Sequence, residues 1–332
     1  MQGGSMISFV KINRFVNSRS MVAVAAIIML LGARMAFQTG DVSYLTSNRG
    51  FLVDSPNLWI HDTWLTMAVN TALILVTALS WIFIIQFFNP FRGLTNLTAS
   101  LFIIMMTSVP DISDQLCTGT VLSAIVPVCL ALLWSAYGDI HRLRHIYLLF
   151  AILSALAMTQ YCFAVYIPMF IVGCAQMKIF RMKTILACIF GLATPWWIVF
   201  GLGIFDLSHF HAPHFQNALA TMDTDAVVNL VAVSVTTVII IVAAWVGNFM
   251  NIVSLNANLR AFNGSIALMA VFTIVALIAD FGNATSYLPT LMSLTAYQIS
   301  FMAVRNKDVQ AFVPVVVVMT IYLAFYGMRM LL

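Results

Sequence analysis

Long uncharged apolar runs, separated by short loops, recur along the whole chain. Trp64–Phe88, Thr184–Phe205 and Ala226–Phe249 are the clearest and carry no charged side chain. About 20 apolar residues of helix span a hydrocarbon core. Inside that core every backbone N–H and C=O needs a partner within the protein, which leaves helices as the natural spanning element for runs of this length. Composition agrees: 62% of the 332 residues are hydrophobic and 8% are charged, against roughly 25% charged in a soluble domain. The expected fold is all-α, a polytopic transmembrane helical bundle of about 11 spans (range about 9–12), several of them short. Residues 1–332 then form a single integral membrane domain, because no gap between runs is long enough for a soluble one. Four of the five cysteines (Cys129, Cys162, Cys174 and Cys188) fall in apolar runs, and Cys117 lies in a polar stretch. Such a pattern is no disulfide framework.

The basic residues sort the loops. With residues 1–19 as a cytoplasmic segment, every Lys and Arg except Arg34, Arg49 and Arg329 falls in an inner segment, as the positive-inside rule requires. The acids sort the other way. All the Asp residues except Asp139 and Asp308 fall outside, and the chain has no Glu. The expected location is a bacterial inner membrane, with the N-terminus cytoplasmic and the C-terminus periplasmic. A signal peptide competes for the first run, but its length and Arg34 favour an anchored helix. Residues 38–62 form the first outer loop, whose Leu58-Trp59-Ile60 stretch suits a short interfacial helix. Residues 206–225 form a His- and Asp-rich outer loop. The apolar stretch Ile146–Met177 suits two short crossings that turn near Thr159-Gln160-Tyr161.

Candidate chemistry therefore gathers outside. His209, His211 and His214 place three imidazoles in one loop, a ligand set that suits zinc or a neighbouring divalent metal. The competing reading is a polar loop that is rich in His. Asp223-Thr-Asp225 resembles a metal-holding Asp pair, but immediately before an apolar run it is better read as helix capping. The run Leu97–Val109 is too short to cross at 1.5 Å per residue and ends at Pro110-Asp111-Ile-Ser-Asp114. Its end is expected below the membrane surface, where irregular backbone persists only against protein or a water-filled cavity. Asp41, Asp54, Asp111 and Asp114 are the candidate acid–base or metal-holding carboxylates. Arg34 and Arg49 are the candidate phosphate contacts, although Arg34 can equally snorkel to headgroups. Asn70, Gln86, Asn229 and Gln298 are expected to bond between helices. The chain has no P-loop, dinucleotide fingerprint, HExxH or nucleophile elbow. Its inner basic loops are short, so they suit anionic membrane lipids rather than nucleic acid.

Two resemblances follow from these residues. The stretch Arg181-Met-Lys-Thr-Ile-Leu-Ala-Cys-Ile-Phe-Gly-Leu-Ala-Thr194-Pro195-Trp196-Trp197, after a hairpin containing Tyr166-Ile-Pro168, resembles an uncharacterised polytopic inner-membrane family of Bacteroidetes. More remotely, the order of elements is similar to the GT-C superfamily of membrane glycosyltransferases. The shared elements are a carboxylate in the first outer loop with an interfacial stretch (Asp41–Asp62), short middle spans parted by Pro110–Asp114, and a hairpin between basic loops (Arg142–Lys183). That resemblance implies a polyprenyl-linked glycan as substrate and a divalent metal as cofactor. The chain departs from it in lacking a large outer domain and an acidic pair directly after span one. A non-catalytic subunit that needs a protein partner in the cell envelope, and a small transporter or flippase, are the competing expectations. The layout predicts that single cysteines replacing His141 and Ser208, in a background free of the native cysteines, react with an impermeant maleimide from opposite sides. Labelling of both from one side would overturn the layout.

Overall fold

The computed structural model describes residues 18–39, 52–91, 96–205, 219, 222–249, 255–305 and 312–331. Among these the regular structure is helical throughout, with no strand. In chain order the helices are α1 (Arg19–Thr39), α2 (Thr63–Phe88), α3 (Leu97–Thr107), the single turn α4 (Pro110–Ser113), α5 (Thr118–Ser135) and α6 (Leu143–Ala157). They continue with α7 (Tyr161–Ala164), α8 (Tyr166–Gln176), α9 (Met182–Gly201), α10 (Thr224–Phe249), α11 (Ala257–Ala279), α12 (Ala284–Arg305) and α13 (Val313–Leu331). Five of them, α2, α5, α9, α10 and α11, are long and apolar enough to cross a membrane. The helical bundle expected from the apolar runs is present. The hairpin of α6 and α8 turns where expected, at residues 158–160.

Burial runs opposite to hydropathy. Helix α12 is buried along residues 284–301, yet carries Thr285, Ser286, Thr290, Ser293, Thr295, Gln298 and Ser300. It packs against α3, α5, α10, α11 and α13. Helix α3 is buried at every residue. The peripheral helices instead expose large apolar side chains, among them Phe83 and Phe87 on α2, Phe190 and Trp197 on α9, and Ile239 on α10. This arrangement fits hydrocarbon as the solvent, since lipid tails give no drive to bury Leu or Val, while polar side chains gain by meeting inside. Several hydroxyls satisfy themselves locally: Ser293 Oγ donates to Thr290 O, and Ser300 Oγ donates to Ala296 O.

Local chemistry sets the helix ends. Asp62 caps α2 by accepting from the backbone N–H groups of Trp64 and Leu65. Asn89, with φ of 45°, ends that helix in the left-handed region that Asn tolerates. Asp223 and Asp225 flank the start of α10, and the Asp223 carbonyl accepts from Val227 N. Three sequence expectations change. Residues 56–58 form a 3-10 turn rather than an amphipathic α-helix, although Leu58 and Trp59 are exposed as an interfacial stretch would be. Gln86 is exposed on α2 and is no interhelical bond former. Cys117 is buried, because the stretch around it folds into the bundle.

Two glycines allow close helix approach. A Cβ on Gly119 would stand 2.2 Å from Thr285 O on α12, and one on Gly191 would stand 2.6 Å from Tyr147 O on α6. Neither carbonyl can yield without moving its helix, as at other small-residue crossings in membranes. Gly119→Leu should therefore destabilise the protein by about 3 kcal/mol. The measurement is a lower thermal unfolding temperature in detergent, with the exposed Gln86→Ala as the unaffected control.

Candidate functional site

Helix α4 is where the chain departs most from simple crossings. α3 stops after 11 residues, and Pro110 at the first position of α4 starts a single new turn. That turn does not emerge at the end of the bundle. Asn70 Nδ2 donates to Ile112 O at 2.9 Å and to Ser113 O at 2.7 Å. Asn70 lies eight residues after the α2 cap Asp62, so α4 sits about 12 Å along α2 from that end at 1.5 Å per residue. Ser113 N and Asp114 N bond back to Val109 O and Pro110 O. Gln115 Nε2 donates to Asp111 O at 3.0 Å. Local bonds and one buried amide thus satisfy much of an irregular segment inside the bundle.

This arrangement buries both Asp111 and Asp114. Ser113 Oγ donates to Asp114 Oδ1 at 2.9 Å. A carboxyl held inside the bundle with a hydroxyl partner is a candidate general acid or base. Asp114 borders a tight crevice between α1, α3, α4 and α13, too small to hold a water, with Gly32, Ala33 and Tyr326 opposite it. A Cβ on Gly32 would meet the Tyr326 hydroxyl at 2.8 Å, so the glycine lets that ring approach.

On another side of α1 lies an open groove of about 530 Å³ between α1 and α2. Leu30, Ala33, Trp64, Met67 and Leu75 give it an apolar wall, and Arg34 stands in its lining as an exposed cation. Thr71 lines the groove, and the adjacent Asn70 holds α4. Ala33 borders both the groove and the Asp114 cleft.

Of the sequence candidates, the structure brings Asp111 and Asp114 together and places Arg34 one residue from the Ala33 partition. Asp54 is exposed and lines neither the cleft nor the groove, while its carbonyl accepts from Trp59 Nε1 at 2.8 Å. Among the described residues the crevice is lined by α1, α3, α4 and α13. Asp41, Arg49, His209, His211 and His214 lie outside the described residues. Among the described residues no group of three or more His, Cys, Asp or Glu side chains could hold a metal ion. Asn70 and Asn229 bond between helices as expected, Asn229 to Ser108 O at 3.2 Å, and Gln298 meets Asn248 at 2.6 Å. The sequence reading missed Tyr326 and Gly32, which come from the far ends of the chain and carry no local signal. It also missed that Asn70 supports α4 in particular.

No protein-family model, curated protein or solved structure matches this chain.

Proposed function

We propose that this protein is a membrane enzyme that handles a lipid-borne, phosphate-bearing substrate at the outer face of a bacterial inner membrane. A polyprenyl-linked glycan is the class of substrate that suits it. The observation that carries this reading is the placement of Asp111 and Asp114 inside the bundle, beside an apolar groove that contains one arginine. An isoprenoid or acyl chain suits the groove wall. Arg34 supplies a charge-assisted contact for phosphate. Asp114 supplies the proton transfer that a glycosyl or phosphoryl acceptor hydroxyl needs. A shift of the α1 segment around Ala33 would join groove and cleft, so substrate entry from the side of the bilayer is part of this reading. The orientation follows from the sorting of Lys and Arg, and the GT-C likeness adds fold-level analogy alone.

The histidines of loop 206–225 remain candidates for a divalent metal within the same proposal. A small transporter or flippase is less favoured, because among the described residues this groove is lined by α1 and α2 alone.

The test is complementation of a deletion strain, read by profiling its lipid-linked glycans. Asp114→Asn and Asp111→Asn should reach the membrane at wild-type level and fail to restore the wild-type profile. Arg34→Gln should restore it only partly, with rescue by Arg34→Lys weaker than wild type. Full complementation by both Asp variants would remove the enzymatic reading and leave a non-catalytic subunit of an envelope complex in its place.

A further inference from the structure

All five cysteines are buried free thiols, and two of them meet. The Cys174 thiol, on α8, lies within hydrogen-bonding reach of the Cys188 thiol, on α9. The backbone prepares this contact. Lys178, with φ of 61°, reverses the chain after α8, and Ile179 N bonds back to Cys174 O at 3.2 Å. Thr184 Oγ1 donates to Ile179 O at 2.5 Å and fixes the start of α9. The reversal sends α9 back in the opposite direction to α8. A Cα–Cβ bond tilts toward the N-terminus of its own helix. Cys174 therefore leans away from the turn and Cys188 leans toward it, so the two side chains converge.

The pair joins two helices that are held very differently. Helix α8 is pinned on several sides. Gly138 N donates to Met177 O at 3.1 Å just past its end. A Cβ on Gly173 would stand 2.9 Å from Leu133 Cδ2 on α5, and one on Gly264 of α11 would stand 2.3 Å from Gln176 Nε2. Helix α9 packs mainly against α6 and is the least buried of the five long apolar helices. Leu186, Ile189 and Phe190, on either side of Cys188, are exposed. Cys188 lies about 9 Å along α9 at 1.5 Å per residue. It keeps 7% exposure, while Cys174 is fully buried behind it, so Cys188 is the sulfur that a reagent in the bilayer meets first.

We propose that Cys188 and Cys174 are a redox pair, oxidised by hydroperoxides to a disulfide that ties α9 to α8. The Cys188 sulfur attacks the hydroperoxide and breaks its O–O bond. Cys188 becomes a sulfenic acid, and the rest of the hydroperoxide leaves as an alcohol, or as water from hydrogen peroxide. The Cys174 sulfur then displaces the sulfenic hydroxyl, which leaves as water with the Cys174 proton. Both sulfurs are oxidised, and the two electrons they lose reduce the O–O bond. A dithiol reductant restores the two thiols by exchange and is itself oxidised to a disulfide. In the reduced protein α9 is held mainly through α6. In the oxidised protein it is also bonded covalently to the pinned α8.

The experiment uses the full wild-type chain reconstituted in phosphatidylcholine–phosphatidylglycerol vesicles. Separate arms receive cumene hydroperoxide, which enters the bilayer, and hydrogen peroxide, which is delivered from water. After denaturation, maleimide-reactive thiols should fall from five to three. Lys178, Arg181 and Lys183 lie between the two cysteines, so trypsin separates them unless a disulfide holds them. The digest should contain peptides joined through Cys174 and Cys188, and dithiothreitol should part them. The faster arm identifies the oxidant as lipid-borne or soluble, and either supports the proposal. The oxidised wild type should unfold in detergent at a higher temperature than the reduced protein. Cys188→Ala should show neither the linked peptides nor that rise, and if it does not fold, the wild-type digest decides alone. Five free thiols in both arms overturn the proposal. So does a disulfide that joins other cysteines, or an oxidised protein no more resistant to heat than the reduced one. The assay contains no glycan or phosphate substrate, so its outcome is independent of the α4 site.

Discussion

A polar group placed in hydrocarbon must find its partner within the protein, and this bundle is arranged around that requirement. Its most polar helix, α12, is the one surrounded by other helices, while α2, α9 and α10 turn Phe, Trp and Ile outward. An unpaired amide or hydroxyl in an apolar medium costs several kcal/mol, whereas an outward Leu costs nothing against lipid. Hydroxyls that bond to their own helix let α12 stay polar and still pack. Gly119 and Gly191 do the corresponding work on the backbone, bringing helices so close that a side chain would meet a carbonyl.

The same requirement makes α4 informative. A single helical turn held by Asn70 well below the end of α2 places unusual demands on its surroundings. Asp111 and Asp114 deepen those demands, because a buried carboxylate is costly to ionise. Packing alone would be better served by an apolar turn at this position. Costly groups retained inside a membrane bundle are function candidates by default, and the Arg34 groove lies on the other side of Ala33.

Much of the architecture could be read from the chain. The apolar runs located the helices, and the shortness of Leu97–Val109 with Pro110 after it pointed to a segment ending within the bundle. That Asn70 would hold it there could not be read, since an Asn in an apolar run signals only that some partner exists. The walls of the cleft were also hidden. Gly32 and Tyr326 are nearly 300 residues apart, and nothing local in either segment names the other. Asp280 enters the sequence reading only as one of the outer acids, and the hydroxyls of Tyr161 and Tyr287 that donate to it meet it only in the fold. Long-range pairings of this kind are set by packing, which periodicity does not encode.

The central claim is that α4 lies inside the bundle against α1, with its carboxylates away from bulk water. Disulfide trapping between Ala33→Cys and Ser113→Cys tests it directly, because both positions border the cleft and both Asn70 and Asp114 stay in place. In a background without the native cysteines, mild oxidation should cross-link this pair, and Ser113→Cys alone should resist an impermeant maleimide. A folded double variant that fails to cross-link, with position 113 labelled as readily as an exposed loop, would contradict the account.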